Sequence, residues 1–100
     1  MAGGSFYMVS NEENSFFCVG STANLRVRMW QHKNKYYPHT YAARYTLNKL
    51  VYYEHFSSRE ESLKREEFVR RQKRTWKEDL IATKNPKWTD LYEVLLAEEY

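Results

Sequence analysis

A chain of 100 residues, 42% of them apolar, supports one hydrophobic core but not two, and its lone Cys18 excludes an internal disulfide. No apolar run approaches the ~20 residues of a membrane-spanning helix, and residues 1–20 lack the parts of an export signal. One soluble domain over 1–100, in a reducing and cytoplasmic setting with no membrane partner, is the expectation. The net charge of +3 is small but uneven. Between Lys64 and Lys77, Lys64, Arg65, Arg70, Arg71, Lys73, Arg74 and Lys77 stand against only Glu66 and Glu67, which suits a polyanionic partner and equally a solvated helix face.

In chain order, Phe6 to Asn11 alternates as a strand, Glu12 to Ser15 is polar turn material, and Phe16 to Gly20 is a second apolar run, together a hairpin. Asn24 is an N-cap, and the spacing 25, 28, 29, 32 predicts a helix to about Lys33 that stops at Asn34. Lys35 to His39, with Pro38, reads as a turn, and Thr40 to Tyr45 as a short helix. Lys49 to Phe56, rich in β-branched and aromatic residues, is a third strand. Ser57 or Ser58 followed by Glu60 and Glu61 starts a helix from about Arg59 to Arg71. Trp76, Leu80 and Ile81 mark another helix that ends before Asn85 and Pro86, and Trp88, Leu91, Tyr92, Leu95 and Leu96 are spaced for a terminal one. The order β-β-α-β-α-α-α describes a small α/β (α+β) domain, a three-stranded antiparallel sheet flanked by helices.

Two of the helical stripes carry charge. Arg28 and His32 share a face with Leu25 and Met29, and Glu66 stands between Leu63 and Val69. Burying an ionised group without a partner costs several kcal/mol, so such charges are expected to converge on one another, a metal or a phosphate. The three residues read as walls of one site. Blander readings stay open for each: a Glu66–Arg70 pair on a solvated face, worth about 0.3 to 0.5 kcal/mol; a structural salt bridge for Arg28; an uneventful surface His32. Tyr7 on the first strand reads equally as a core residue with a wet tip, and Cys18 as a small buried hydrophobe. Tyr36, Tyr37 and Tyr41 beside Lys33 and Lys35 fit a stacking surface for single strands, and packing explains them as well.

Taken together and in order, Ser5-Phe6-Tyr7, Cys18-Val19-Gly20, the segment Asn24 to Lys33 with Arg28 and His32, Lys49 to Glu54, Leu63-Lys64-Arg65-Glu66, and Asn85 to Tyr92 resemble the GIY-YIG nuclease family. The likeness is to its small stand-alone members, similar to the N-terminal nuclease domain of the excision-repair excinuclease, and it covers nearly the whole chain. It implies a metal-dependent endonuclease that hydrolyses phosphodiester bonds in nucleic acid, DNA by preference. In that reading Glu66 holds one Mg²⁺ or Mn²⁺, Arg28 clamps the scissile phosphate, Tyr7 bonds to phosphate or water, and His32 orients water or relays a proton. Arg28, Lys33, Lys35, Tyr45 and Arg70 are the expected nucleic-acid contacts. The chain departs from the family at Cys18, which stands where the tyrosine proposed to activate the attacking water belongs. A thiolate is a conceivable acceptor, with a reference pKa of about 8.5, but apolar burial raises it. The alternatives are therefore an impaired enzyme, a non-catalytic nucleic-acid-binding module on the same fold, or a basic helix that meets an acidic protein.

Overall fold

A computed structural model of the chain describes residues 3–98. Strands β1 (Gly4–Ser10) and β2 (Phe17–Thr22) lead into helices α1 (Leu25–Lys33) and α2 (Tyr41–Arg44). Strand β3 (Lys49–Phe56) follows, then α3 (Arg59–Arg70), α4 (Arg74–Lys84) and α5 (Tyr92–Ala97). The three strands form an antiparallel sheet in the order β2-β1-β3, with helices on both faces. No helix among the described residues is long and apolar enough to cross a membrane.

Being central, β1 is buried along its whole length, and its period of two sorts the core into halves. Phe6 and Met8 point to the side of Val19, Tyr52, Val69 and Ile81. Tyr7 and Val9 point to the side of Leu25, Met29, Leu50 and Leu95. Against β3, Met8 opposes Tyr52 while Val9 opposes Leu50, so Val51 is an extra residue; this bulge lets Val51 and Tyr52 enter the same half of the core.

The helix starts follow their caps. The side chains of Asn24, Thr40 and Ser58 accept from the backbone N–H groups of Val27, Ala43 and Glu61, so Ser58, not Ser57, is the N-cap of α3. The inward face of α3 differs from the apolar stripe read in the sequence. Ser62 and Val69 are its buried residues, whereas Leu63 is 41% exposed. The cause is close approach to β1, since a Cβ at Gly4 would lie 2.3 Å from Ser62 Oγ and 2.9 Å from Arg59 Cα.

The last helix starts at Tyr92 rather than Trp88 because residues 85–91 are tied to β3. Buried Asn85 donates to the carbonyls of Val51 (3.0 Å) and Thr89 (2.8 Å) and accepts from the Thr89 N–H and hydroxyl. Leu91 N–H donates to Leu50 O at 2.7 Å, and Asp90 Oδ1 accepts from Leu50 N–H at 3.1 Å. Trp88 is thereby held at φ 54° with its ring stacked on Phe17, and these tertiary bonds outweigh its helical spacing.

Gly20 faces Tyr7 across the β1–β2 ladder, and a Cβ there would lie 2.6 Å from both Cζ and the hydroxyl oxygen of Tyr7. The Tyr7 ring therefore lies over the one position of β2 that lacks a side chain. An unhindered Gly→Ala change within a strand is stabilising by roughly 0.5–1 kcal/mol. Here Gly20→Ala is expected to destabilise by about 1–3 kcal/mol through overpacking against the ring, read as a lower urea midpoint at constant m. A neutral or stabilised variant would show that the ring has somewhere else to go.

Candidate active site

Helix α1 is held to the sheet by Leu25 and Met29, and the same face carries Arg28 and His32 over the Tyr7 ring. The Tyr7 hydroxyl lies 3.2 Å from His32 Nε2, and the two rings meet edge to face with centroids 5.7 Å apart. Burial pushes Tyr7 up to about 12; the positive charge of Arg28 works against this, and the Cys18 thiol, where ionised, and the Glu66 carboxylate add to it. Burial, and then the positive charge of Arg28, pull His32 down to about 4. At neutral pH the phenol keeps its proton and the imidazole is uncharged, so with its ring proton on Nδ1 the imidazole accepts the phenol's hydrogen bond at Nε2.

Helix α3 lies on the other face of the sheet, and Glu66 does not line the small cavity that Arg28 and His32 share. Glu66 accepts from the hydroxyl of Ser21, on edge strand β2, and pairs with Arg70 one helical turn on. Ser21 is itself fixed by Arg59, whose Nη1 donates to Ser21 Oγ at 2.9 Å and whose Nη2 donates to Ser21 O at 3.3 Å. The Glu66 side chain is 18% exposed and that of Arg70 57% exposed. The two readings of Glu66 thus coexist, because it makes the i,i+4 pair while its carboxylate faces the strand and is felt by both Tyr7 and Cys18. The charges of Arg28 from α1 and Glu66 from α3, on opposite faces of the sheet, both reach the Tyr7 hydroxyl.

Cys18 is half-buried on β2, on the face that carries Tyr7. Burial pushes its thiol up to about 11; Arg70 opposes this and Glu66 adds to it. It is a neutral thiol at pH 7 and offers no base.

The remaining residues singled out from the sequence separate. Lys33 bonds to Asn48 O at 2.9 Å and to Asp90 at 2.5 Å, and its ammonium lies over the Tyr92 ring, so it ties α1 to the segment before α5. Lys35 is exposed and lines a small cavity of about 130 Å³ with Arg28, His32, Tyr37 and Ala43. Tyr45 packs between Phe16 and Tyr41 and is 38% exposed. Within the basic stretch, Arg65 makes a two-pronged bond to Glu54 (2.9 and 3.0 Å) and Arg74 pairs with Glu78, so neither serves the Glu66 side.

Ser21 and Arg59 escaped the sequence reading. The one available signal was Arg59 itself, a cation in the first turn of a helix, where the dipole disfavours it unless another interaction compensates.

Among the described residues no three His, Cys, Asp or Glu side chains cluster as a protein-built metal cage requires. A hard ion such as Mg²⁺ is nevertheless commonly held by one carboxylate, with water and substrate phosphate completing its shell. Glu66 fits that second type of site, with the exposed Arg70 guanidinium now on the oxygen that an ion would take.

Neither a curated protein nor a solved structure matches the chain. A model of the GIY-YIG catalytic domain does match it over residues 3–79, a span that contains the whole sheet and every side chain placed around the Tyr7 hydroxyl. The chain belongs to the GIY-YIG family of nucleases.

Proposed function

We propose that this chain, a single domain over its 100 residues, is a divalent-metal-dependent endonuclease that cuts DNA. We group it with the small GIY-YIG proteins similar to the nuclease domain of the excision-repair excinuclease, in a cytoplasmic DNA-repair setting. One observation carries the proposal. The buried Tyr7 hydroxyl, whose ring lies over Gly20, bonds to the neutral imidazole of His32, and the charges of Arg28 on α1 and Glu66 on α3 both reach it.

The Arg28 guanidinium binds the non-bridging oxygens of the scissile phosphate, its planar fork matching two of them at once. Glu66, with water and the substrate's own phosphate oxygens, would hold one Mg²⁺ or Mn²⁺, which supplies neutralisation of the charge growing on the phosphorus centre. The water that attacks phosphorus passes its proton to the Tyr7 oxygen while the Tyr7 proton moves to His32 Nε2. Neither ring needs to be ionised beforehand. The imidazolium later returns its proton to the leaving oxygen or to solvent. Phosphate bound at Arg28 cancels part of the positive potential that holds His32 down, so the imidazole becomes a stronger base when substrate arrives. Lys35, Arg70 and Tyr45 are assigned to the flanking nucleotides, and Lys33 to the fold.

The binding-module reading keeps one observation of its own, the neutral thiol at Cys18. The Tyr7–His32 pair offers the proton route that the thiol lacks, which favours an enzyme.

In a plasmid-nicking assay with Mg²⁺ or Mn²⁺, Arg28→Ala and Glu66→Ala should each lower the rate on the order of 10²–10³-fold, as loss of a charge stabiliser does. Cleavage that survives in both variants would sink the site assignment. Tyr7→Phe removes the relay and should cost about 10²–10⁴-fold in kcat. The pH profile gives an independent reading of His32. An imidazole that must be uncharged, with its pKa lowered to about 4 from 6.5, loses its accepting form only near pH 4. The acid limb of kcat/KM should therefore not fall near pH 6.5, and it would do so if an ordinary histidine limited the reaction. Cys18→Tyr separates the two functional readings: a rate within about threefold of wild type fits the Tyr7–His32 route, and activity that appears only in the variant fits the binding module.

A further inference from the structure

Between Glu13 and Glu54 the chain holds no acidic residue, while it places Arg26, Arg28, Lys33, Lys35, Arg44 and Lys49 there. Three of these cations have structural ties: Arg26 with the carbonyls of Leu95 and Leu96, Lys33 with Asp90, and Lys49 with Glu12 O. Lys35 and Arg44 are exposed and form no ion pair among the described residues.

The same segment leaves aromatic rings in solvent. Phe16, Tyr45 and Tyr41 form a continuous row, with centroids 4.8 and 4.7 Å apart and exposures of 42%, 38% and 50%. Trp30, Tyr36 and Tyr37 form a second row, each at least half exposed. Rings that pack on one another while half in water contribute little to the core, and a contiguous exposed apolar patch on a small domain marks a surface that meets a partner.

Charge and position identify the partner. A segment with no acidic residue from 14 to 53 and two exposed cations suits a polyanion. Its flat, half-open rings suit bases, and only bases that are not stacked in a duplex present a face to them. The surface is continuous with the site: Phe16 precedes β2 two residues from Cys18, and Tyr37 and Lys35 line the same small cavity as Arg28 and His32. Helix α2 lies between, sending Ala42 and Ala43 to the cavity and Tyr41 and Tyr45, one turn apart, to the row.

We infer that the chain takes single-stranded or locally unpaired nucleic acid, with bases stacking on Phe16, Tyr45 and Tyr41 and the adjoining phosphates on Lys35 and Arg44. The scissile phosphate is thereby delivered to Arg28 from an unpaired strand. The inference rests on the endonuclease reading for that phosphate and adds the substrate class to it.

The test is fluorescence anisotropy with the full chain, a labelled oligothymidine and a blunt duplex of equal length, without divalent ion so that nothing is cut. Wild type should prefer the single strand. Tyr41→Ala and Tyr45→Ala should each weaken single-strand binding by roughly 5- to 100-fold while moving duplex binding less than about twofold, and Tyr41→Phe and Tyr45→Phe should retain affinity because the stacking face survives. Melting curves of the four variants confirm that each is folded where it is measured. Alanine variants that bind the oligothymidine like wild type, or that lose both ligands equally, overturn the inference. So does a wild-type dimer that Tyr41→Ala dissociates, since the face would then belong to a second copy. These failures leave the dependence of cleavage on Arg28 and Glu66 standing. A wild type that stacks the single strand as expected yet never cuts sinks only the endonuclease reading.

Discussion

The architecture around the site depends on one buried phenol. Tyr7 stands on the central strand with its ring over Gly20, its body contributing to the α1-side core and its hydroxyl to polar company. A hydroxyl out of water costs a few kcal/mol unless it is bonded, and α1 supplies the bond through His32. The pair is stable in that place because burial drives both rings towards neutrality, raising the phenol and lowering the imidazole. Two neutral groups are far less costly to desolvate than an ion pair. The charge sits beside the pair, in the half-buried Arg28, where water still reaches it.

Helix α3 solves a matching problem on the other face of the sheet. Its adjacent residues 65 and 66 reach opposite edges: Arg65 holds Glu54 on β3, and Glu66 meets Ser21 on β2. At Glu54, burial alone would raise the pKa, but the hydrogen bonds from Arg65 and Tyr52 outweigh it and hold the carboxyl below its ordinary value. Both edge strands are thereby fastened to a helix that crosses the central one. It passes close to Gly4, where the small Ser62 fits, so its buried face carries a serine beside Val69.

What could be read from the sequence follows the range of the forces involved. The strands, the caps at Asn24 and Ser58, and the pairing of Arg28 with His32 on one helical face are set by neighbours within a few residues, and they stand where local rules put them. Leu63 misled because helical spacing cannot register that the opposing strand leaves room only for Ser62. Trp88 misled because Asn85 and Asp90 bind a strand far earlier in the chain, and a partner 40 residues away, as Leu50 is from Asp90, is invisible to periodicity. Lys33 and Lys35 are equivalent as charges, and only the distant Asp90 tells them apart. No local signal marks Ser21, whose role depends on Arg59 and Glu66 coming from another element.

The replacement at Cys18 removes a hydroxyl from the site and leaves its charge unchanged. A tyrosine there would place a second hydroxyl beside Glu66, and its phenol, like the buried thiol with its pKa pushed up to about 11, would add no charge at neutral pH. Glu66 shares Ser21 with Arg59, and before substrate binds it is balanced by Arg70. In the proposed reading a phosphodiester would meet the positive potential of Arg28, and the exposed Arg70 would turn from Glu66 to the strand if Glu66 held a cation. Attraction to a polyanion and readiness to receive a hard ion thus arise from the same surplus of guanidinium. The proton is left to the one pair of groups that burial has kept neutral.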